Sequence, residues 1–174
     1  MISEKLVNAL SKQVVAEYYS AYLYHAMSAY AENKGLSGMG HWLFMQTREE
    51  LAHGVNIYQY ILERGAFPTL EAIEAPPSSF DSICAVFKEV LAHEQKVTAL
   101  INEIASLALE EKDHACYQFI LWYVEEQVEE EATARDIIDK LELIGCDSGL
   151  LLTLDNELGA RTFVNPFPNN KKLA

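Results

Sequence analysis

The stretch LWYVEEQVEEEATARDIIDKL, residues 121–141, poses the question that the rest of the chain answers. Five glutamates fall within seven positions, Glu125, Glu126, Glu129, Glu130 and Glu131, with Gln127 among them. Its apolar residues recur every three or four positions, as on an amphipathic helix. Like charges at that spacing repel, by roughly a few tenths of a kcal/mol per exposed pair. Tyr123, Gln127, Glu130, Ala134, Ile137 and Leu141 share the core-facing stripe, so an amide and a carboxylate stand where apolar side chains are expected. A solvated face accounts for glutamates on the outside of a helix. Glutamates on the inside call for a cation.

Three other segments carry stripes with the same interruption. One reads Leu6, Leu10, Gln13, Glu17, Ser20, Tyr24, Met27, Ala31. A second reads Met39, Leu43, Gln46, Glu50, His53, Ile57, Tyr60. A third reads Ile83, Phe87, Val90, Glu94, Val97, Ile101, Ile104, Ala108. The fourth, around the opening stretch, runs from Cys116 to Ile144. Each is broken near its middle by a side chain able to bind metal: Glu17, Glu50 with His53, Glu94, and Gln127 with Glu130. Burying a lone carboxylate is costly unless it is neutralised. Lys and Arg are scarce on these stripes, so a protein salt bridge does not supply the neutralisation. Any one of these residues alone reads as an exposed helix position, and a lone Glu-x-x-His is common by chance. Four defects at the same height on four helices point to one shared metal site.

The helical patterns span roughly Ser3 to Asn33, with Ser3 as N-cap and Gly35 beyond the end; Met39 to Arg64; Asp81 to Glu111; and Asp113 to just before Gly145. A short fifth helix, capped by Asp147 or Ser148, is expected to run to about Thr162. The tail FVNPFPNNKKLA, residues 163–174, is expected to be irregular or disordered. Residues 1–162 therefore read as one domain. Short turns join the first and second helices and the third and fourth. Between the second and third lies AFPTLEAIEAPPSSF, about fifteen residues, which reach about 50 Å when extended. A helix of about 25 residues is only about 38 Å long. The fold class that follows is all-α: a four-helix bundle of two antiparallel hairpins joined by one long crossover, plus a short C-terminal helix.

Composition bounds the function. The formal net charge of −13 argues against binding nucleic acid through a basic surface and favours collecting cations. There is no 18-residue apolar run for a membrane span, and MISEKLVNAL does not read as a signal peptide. Cys84, Cys116 and Cys146 are widely spaced and without a CxxC, which is expected to mean reduced, packed thiols in a cytoplasmic protein. His25, His41, His93 and His114 lie off the stripes and read as surface or packing residues, as does Trp122. Carboxylates with one imidazole suit iron or another mid-row divalent metal better than calcium or thiolate-bound zinc.

These residues resemble the non-haem bacterial ferritins. The likeness covers roughly residues 1–162 and is carried by VVAEYYSAYLYHAMSAY, REELAHGVNIYQYI, HEQKV and the opening stretch. It implies an iron-storage ferroxidase that oxidises Fe(II) to Fe(III) with dioxygen or peroxide at a di-iron centre inside each subunit. One iron would be held by Glu17, Glu50 and His53. The second would be held by Glu50 as the bridge, Glu94 and Glu130, with Gln127 adjacent. A third position would use Glu49, Glu126 and Glu129 with Glu130 shared. Tyr24 matches a tyrosine beside the centre, and Glu125 and Glu131 remain as solvated charges. The resemblance also implies a homo-oligomeric shell of 24 subunits with octahedral symmetry, filled with ferric mineral. Haem is not expected: Leu51 and Ala52 stand where the haem-binding relatives place a methionine, and Gln127 and Glu130 replace their second Glu-x-x-His. The absence of CxxC separates the chain from rubrerythrins, and the fifth helix separates it from the DNA-binding mini-ferritins. Two further classes compete with storage: a di-iron oxidase or peroxide scavenger that keeps no mineral, and a metal-free structural bundle.

Overall fold

A computed structural model describes residues 2–146 and 149–170. Its regular structure is α1 (Glu4–Asn33), α2 (Ser37–Glu63), α3 (Ile83–Glu110), α4 (His114–Ile144) and α5 (Leu151–Leu158), with no strand among the described residues. Side-chain oxygens start three of the helices by accepting an otherwise orphaned backbone N–H. Ser3 Oγ accepts from Leu6 N at 3.3 Å, Ser82 Oγ from Ala85 N at 3.1 Å and Asp113 Oδ1 from Cys116 N at 2.9 Å. Helix α2 has no such cap of its own. Asp155 of α5 provides it, accepting from Met39 N at 2.8 Å. The approach is close enough that a Cβ on Gly38 would stand 1.8 Å from the Asp155 carbonyl oxygen, so glycine there is what lets α5 seat on the start of α2.

Contacts between the helices give their directions. Lys5 pairs with Glu111 at 3.3 Å, and Tyr24 meets Glu94 nearer the other end, so α1 and α3 are antiparallel. Gln46 meets Glu130, Asn56 meets Tyr123, and Arg64 pairs with Asp113 at 2.7 Å, so α2 and α4 are antiparallel as well. The end of α2 and the start of α3 therefore lie at opposite ends of the bundle. The crossover bridges them along α1: Thr69 N donates to Ser11 Oγ at 3.1 Å, and the Phe80 ring lies 5.4 Å from Tyr30. Among the described residues no Cα of α2 comes within 8 Å of a Cα of α4, so these two helices meet only through long side chains.

All the stripe residues are buried or partly buried, but the core is not continuous. One apolar cluster gathers Met27, Trp42, Phe87 and Ile137 toward the α5 end. Another gathers Leu10, Ile57, Ile101 and Ile120 toward the opposite end. The polar interruptions form a layer between them. Past Leu158 the helix stops earlier than expected. Arg161 instead reaches back to Glu49, and its carbonyl takes a hydrogen bond from His41 Nε2 at 2.8 Å. The caps anticipated at Asp147 or Ser148 lie outside the described residues.

The cysteines correct the sequence-based expectation. Cys84 and Cys146 form a disulfide with Cα atoms 5.9 Å apart, and only Cys116 is a free, buried thiol. The start of α3 and the end of α4 are neighbours at the same end of the bundle, which a separation of 62 residues conceals. Burial pushes the Cys116 thiol up to about 11, so it is unreactive in place. Under denaturing, non-reducing conditions a thiol reagent should titrate one cysteine per chain, and three after reduction. On the chain-entropy view, closing a loop of this size stabilises the fold by about 4 kcal/mol, so dithiothreitol should lower the melting temperature. Three titratable thiols without reduction would remove the link.

Candidate metal centre

The polar layer is built by helical spacing. Glu50 and His53 are one turn apart on α2 and project from one face. Glu17 on α1 completes a group with them: one ligand-capable atom of each lies within 4.8 Å of the other two, and all three residues are buried. Gly54 allows this approach, because a Cβ there would come within 2.5 Å of the Tyr18 ring and 3.3 Å of Glu17 Cβ. Glu94 from α3 and Glu130 from α4 bring two more buried carboxylates to the same layer. His53 Nδ1 lies 3.5 Å from Glu50 Oε2, while His53 Nε2 and Glu17 Oε2 are buried without a hydrogen-bond partner. Unsatisfied buried polar atoms of this kind mark a position shaped for something else to fill.

Electrostatics give the same picture. Burial, and then the charge of Glu50, hold Glu17 well above the usual carboxylate range. Burial and the charges of Glu94 and Glu130 do the same to Glu50. Burial raises Glu94 despite the hydrogen bonds it accepts, and Glu130 is pushed up to about 8 by burial and by Glu94. Without a metal the centre therefore takes up protons. Among the described residues none of the four carboxylates has a Lys or Arg partner. The donor set of carboxylates and one imidazole fits a pair of mid-row divalent ions, which would replace those protons.

Three glutamines hold the carboxylates. Gln13 Nε2 donates to Glu17 Oε1 at 2.9 Å, Gln46 Nε2 to Glu130 Oε2 at 2.9 Å, and Gln127 Nε2 to Glu94 Oε2 at 3.0 Å. Gln127 also points its amide nitrogen at the Glu94 carbonyl oxygen, 3.2 Å away, so toward Glu94 it acts as a donor. Tyr24 donates its hydroxyl to Glu94 Oε1. Burial, with Glu94 beside it, raises the Tyr24 phenol well above its ordinary value and keeps it neutral. Gln13 and Gln46 were legible only as polar residues on apolar stripes, and which glutamate each would serve was not. Thr98 lies off the α3 stripe, and no local pattern marks it. It donates to Glu131 Oε1 at 2.7 Å and accepts from Gln127 Nε2 at 3.2 Å. Glu131 is thus not a merely solvated charge: it also pairs with Arg135, and its side chain is 15% exposed. Glu125 is exposed, as expected.

On the α2/α4 side Glu49 and Glu126 are half-buried and Glu129 is exposed. Glu126 is raised by burial, with His53 opposing and the charges of Glu129 and Glu49 adding to the shift, so these acids face one another beside the inner group. Glu49 is held by Arg161. His93, off the stripes, is nonetheless buried: its Nε2 lies 2.7 Å from Ser20 Oγ, and burial lowers it to about 4, leaving it neutral. Trp122 packs edge-on against His53 with ring centres 5.5 Å apart.

This geometry has relatives. The ferritin-like domain family matches residues 7–144. A bacterial non-heme ferritin of Bacteroides fragilis (strain 638R) is 41% identical over 161 residues, covering 92% of this chain and 100% of the relative. One from Staphylococcus aureus (strain USA300) is 40% identical over 163 residues, covering 94% and 98%. Among solved structures, an Archaeoglobus fulgidus ferritin engineered into a closed form superposes with a TM-score of 0.92 at 49% identity, covering 94% of this chain and all 100% of that one. An open pore ferritin from the same archaeon gives 0.91 at 50% identity, covering 92% and 98%. The family match over most of the chain and the relatives at about 40% identity place this chain in the ferritin family, among its non-haem members.

Proposed function

We propose that the protein stores iron, oxidising Fe(II) to Fe(III) at a di-iron centre within each subunit and depositing the product as a ferric mineral inside a homo-oligomeric shell. The observation that carries this reading is the buried Glu17, Glu50 and His53 group, flanked by Glu94 and Glu130, with no Lys or Arg partner among the described residues. In this reading Glu17, Glu50 and His53 hold one iron. Glu50 bridges to the second, which Glu94 and Glu130 complete. Gln127 and Tyr24 orient Glu94, Gln46 orients Glu130 and Gln13 orients Glu17. Glu49, Glu126 and Glu129, with Glu130 shared, would form a third position, which holds an extra iron, supplies a further electron or passes Fe(III) onward.

The chemistry needs two electrons per dioxygen reduced to the peroxide level, one from each Fe(II). Two ions held side by side deliver both at once, which avoids releasing a one-electron product. The carboxylates offset the added charge of the ferric state, and their fixed orientation lowers the reorganisation needed on oxidation. The two apolar clusters above and below the layer keep bulk water out of it.

Storage needs an enclosed space, and therefore assembly. Tyr22, Phe44, Leu51 and Ile73 leave 53%, 41%, 45% and 42% of their surfaces exposed on one face of α1, α2 and the crossover. An apolar face of that kind suits burial against a second copy. We take the assembly to be the 24-subunit octahedral shell of the family resemblance. No described helix is long and apolar enough to cross a membrane.

Replacing Glu50 and His53 together by alanine should slow aerobic Fe(II) oxidation by more than about tenfold, read from the growth of ferric absorbance. An unchanged rate would move the chemistry elsewhere. Light scattering should report a particle far larger than a dimer, whereas a dimer would favour a di-iron oxidase that keeps no mineral. A third outcome concerns protons. Carboxylates whose pKa is raised are protonated below that value and must ionise to bind metal. Adding Zn(II) to metal-free protein in weak buffer should therefore release protons. The release should shrink as pH rises through about 8, where Glu130 ionises unaided. Release that is independent of pH would mean that the carboxylates are already charged in the empty centre.

A further inference from the structure

Residues 159–170, beyond α5, stay on the surface of the bundle. They turn down the seam between α2 and α4, whose backbones stand apart. Arg161, Phe163, Phe167 and Asn170 fasten them there. Arg161 pairs with Glu49, and its guanidinium lies 4.7 Å from the centre of the Trp42 ring. Phe163 lies under the Arg48 guanidinium at 4.0 Å. Phe167 packs edge-on against Trp122 at 4.5 Å and stands 6.1 Å from the His53 ring. Asn170 Nδ2 donates to Asn56 Oδ1 at 3.2 Å. Residues 161–170 thus lie along the outer side of the iron centre, next to Glu49 and His53.

Arg161 matters most, because Glu49 is one of the three outer carboxylates. A guanidinium and a divalent ion cannot both sit on the same carboxylate oxygen, and each repels the other. The Arg161 charge also acts on Glu126, so it stands over more than one of the three acids. Its hold is partial. The Arg161 and Glu49 side chains keep 23% and 17% of their surfaces exposed, and Arg161 Nη1 is buried without a partner. A partly wet, incompletely bonded pair of this kind is one that a divalent ion can displace.

We propose that Arg161 is a tethered counter-cation for the outer position formed by Glu49, Glu126 and Glu129, and that a metal ion entering there displaces it and lifts residues 161–170 from the α2/α4 seam. The proposal rests on reading those three glutamates as a metal position. Its consequence is that the outer position fills only after the inner pair. Filling the outer position also opens the seam beside His53, where Phe167 stands 6.1 Å from its ring.

The chain has two tryptophans, and the strap touches both: Trp42 under Arg161 and Trp122 against Phe167. Their emission can therefore follow the strap with Zn(II), which has no redox chemistry of its own. The test is a Zn(II) titration of the full-length assembled protein, with bound zinc per subunit counted by equilibrium dialysis and tryptophan emission read at each point. The wild type should take a third zinc with a step in emission. Arg161→Gln should take it at a free zinc concentration about tenfold lower, and Arg161→Lys should behave like the wild type. Phe167→Ala, which leaves every charge in place, should also tighten the third zinc, because it weakens what has to be lifted. Glu126→Gln with Glu129→Gln should lose both the third zinc and the emission step. If the third zinc depends on Glu126 and Glu129 but binds equally well to wild type and Arg161→Gln, the counter-cation is wrong and the outer site stands. If neither wild type nor Arg161→Gln takes a third zinc, the outer site itself falls and the proposal with it. A third zinc tightened by Arg161→Gln but not by Phe167→Ala would overturn the lifting of the strap.

Discussion

The structure depends on one constraint: four carboxylates and an imidazole are buried at mid-height in a bundle, with no Lys or Arg among the described residues paired to those carboxylates. Each isolated charge in such a place costs several kcal/mol. The fold meets the constraint in stages. It divides the apolar core into two clusters with the polar layer between, so the carboxylates lie against one another and not against leucine and isoleucine. It raises their proton affinities, so the empty centre is closer to neutral than its composition suggests. It assigns a neutral hydrogen-bond donor to Glu17, Glu94 and Glu130. Glu50, against His53, is where the layer is left for a metal to complete.

The same constraint shapes the ends and sides of the bundle. Helices α2 and α4 cannot pack as closely as α1 and α2, because the layer and its large aromatic neighbours lie between them. The gap is filled lower down by Tyr60 stacked on Phe119 with ring centres 3.8 Å apart, and by the Arg64 and Asp113 pair. Beside the layer it is filled by the returning chain. At the other end the Cys84 and Cys146 disulfide ties the start of α3 to the end of α4, and the Asp155 cap ties α5 to the start of α2. The ends of the bundle are thus tied down, while the seam beside the centre is closed by a segment with no secondary structure of its own.

Much of this was legible in the sequence because periodicity carries it. A stripe every three or four residues determines which side chain faces inward. Glu17, Glu50, His53, Glu94 and Glu130 stood out because they are the wrong residues in otherwise regular stripes. The long crossover followed from comparing the reach of extended chain with the length of a helix. What stayed hidden depends on contacts between residues distant in sequence. Cys84 and Cys146 carry no local pattern that announces a bond. Glu131 looked like one more charge in a run, because its partner Thr98 is on another helix. Gln46 sits one turn before Glu50 yet bonds Glu130 across the bundle. The path of residues 161–170 was unreadable for the same reason, since Arg161 and Phe167 become meaningful only once α2 and α4 are seen to stand apart.

The choice of partner for each carboxylate then follows from how far it must remain available. A neutral amide hydrogen bond contributes only about 1 kcal/mol net and occupies one lone pair, leaving the rest of the carboxylate for a metal. Glu17 shows this: Oε1 accepts from Gln13, while Oε2 has no partner. A buried Arg or Lys in the same place would satisfy the charge too well, because breaking a buried ion pair costs roughly 3–5 kcal/mol and a metal ion would have to do that before binding. The inner layer accordingly uses glutamine and tyrosine, and among the described residues guanidinium appears at its rim, on Glu49 and Glu131, where partial exposure weakens the pair. From the centre outward the carboxylates pass from amide-held to arginine-held. The deepest carboxylates are therefore those that an incoming ion can reach without breaking a charge pair, whereas at Glu49 it would have to outcompete an arginine.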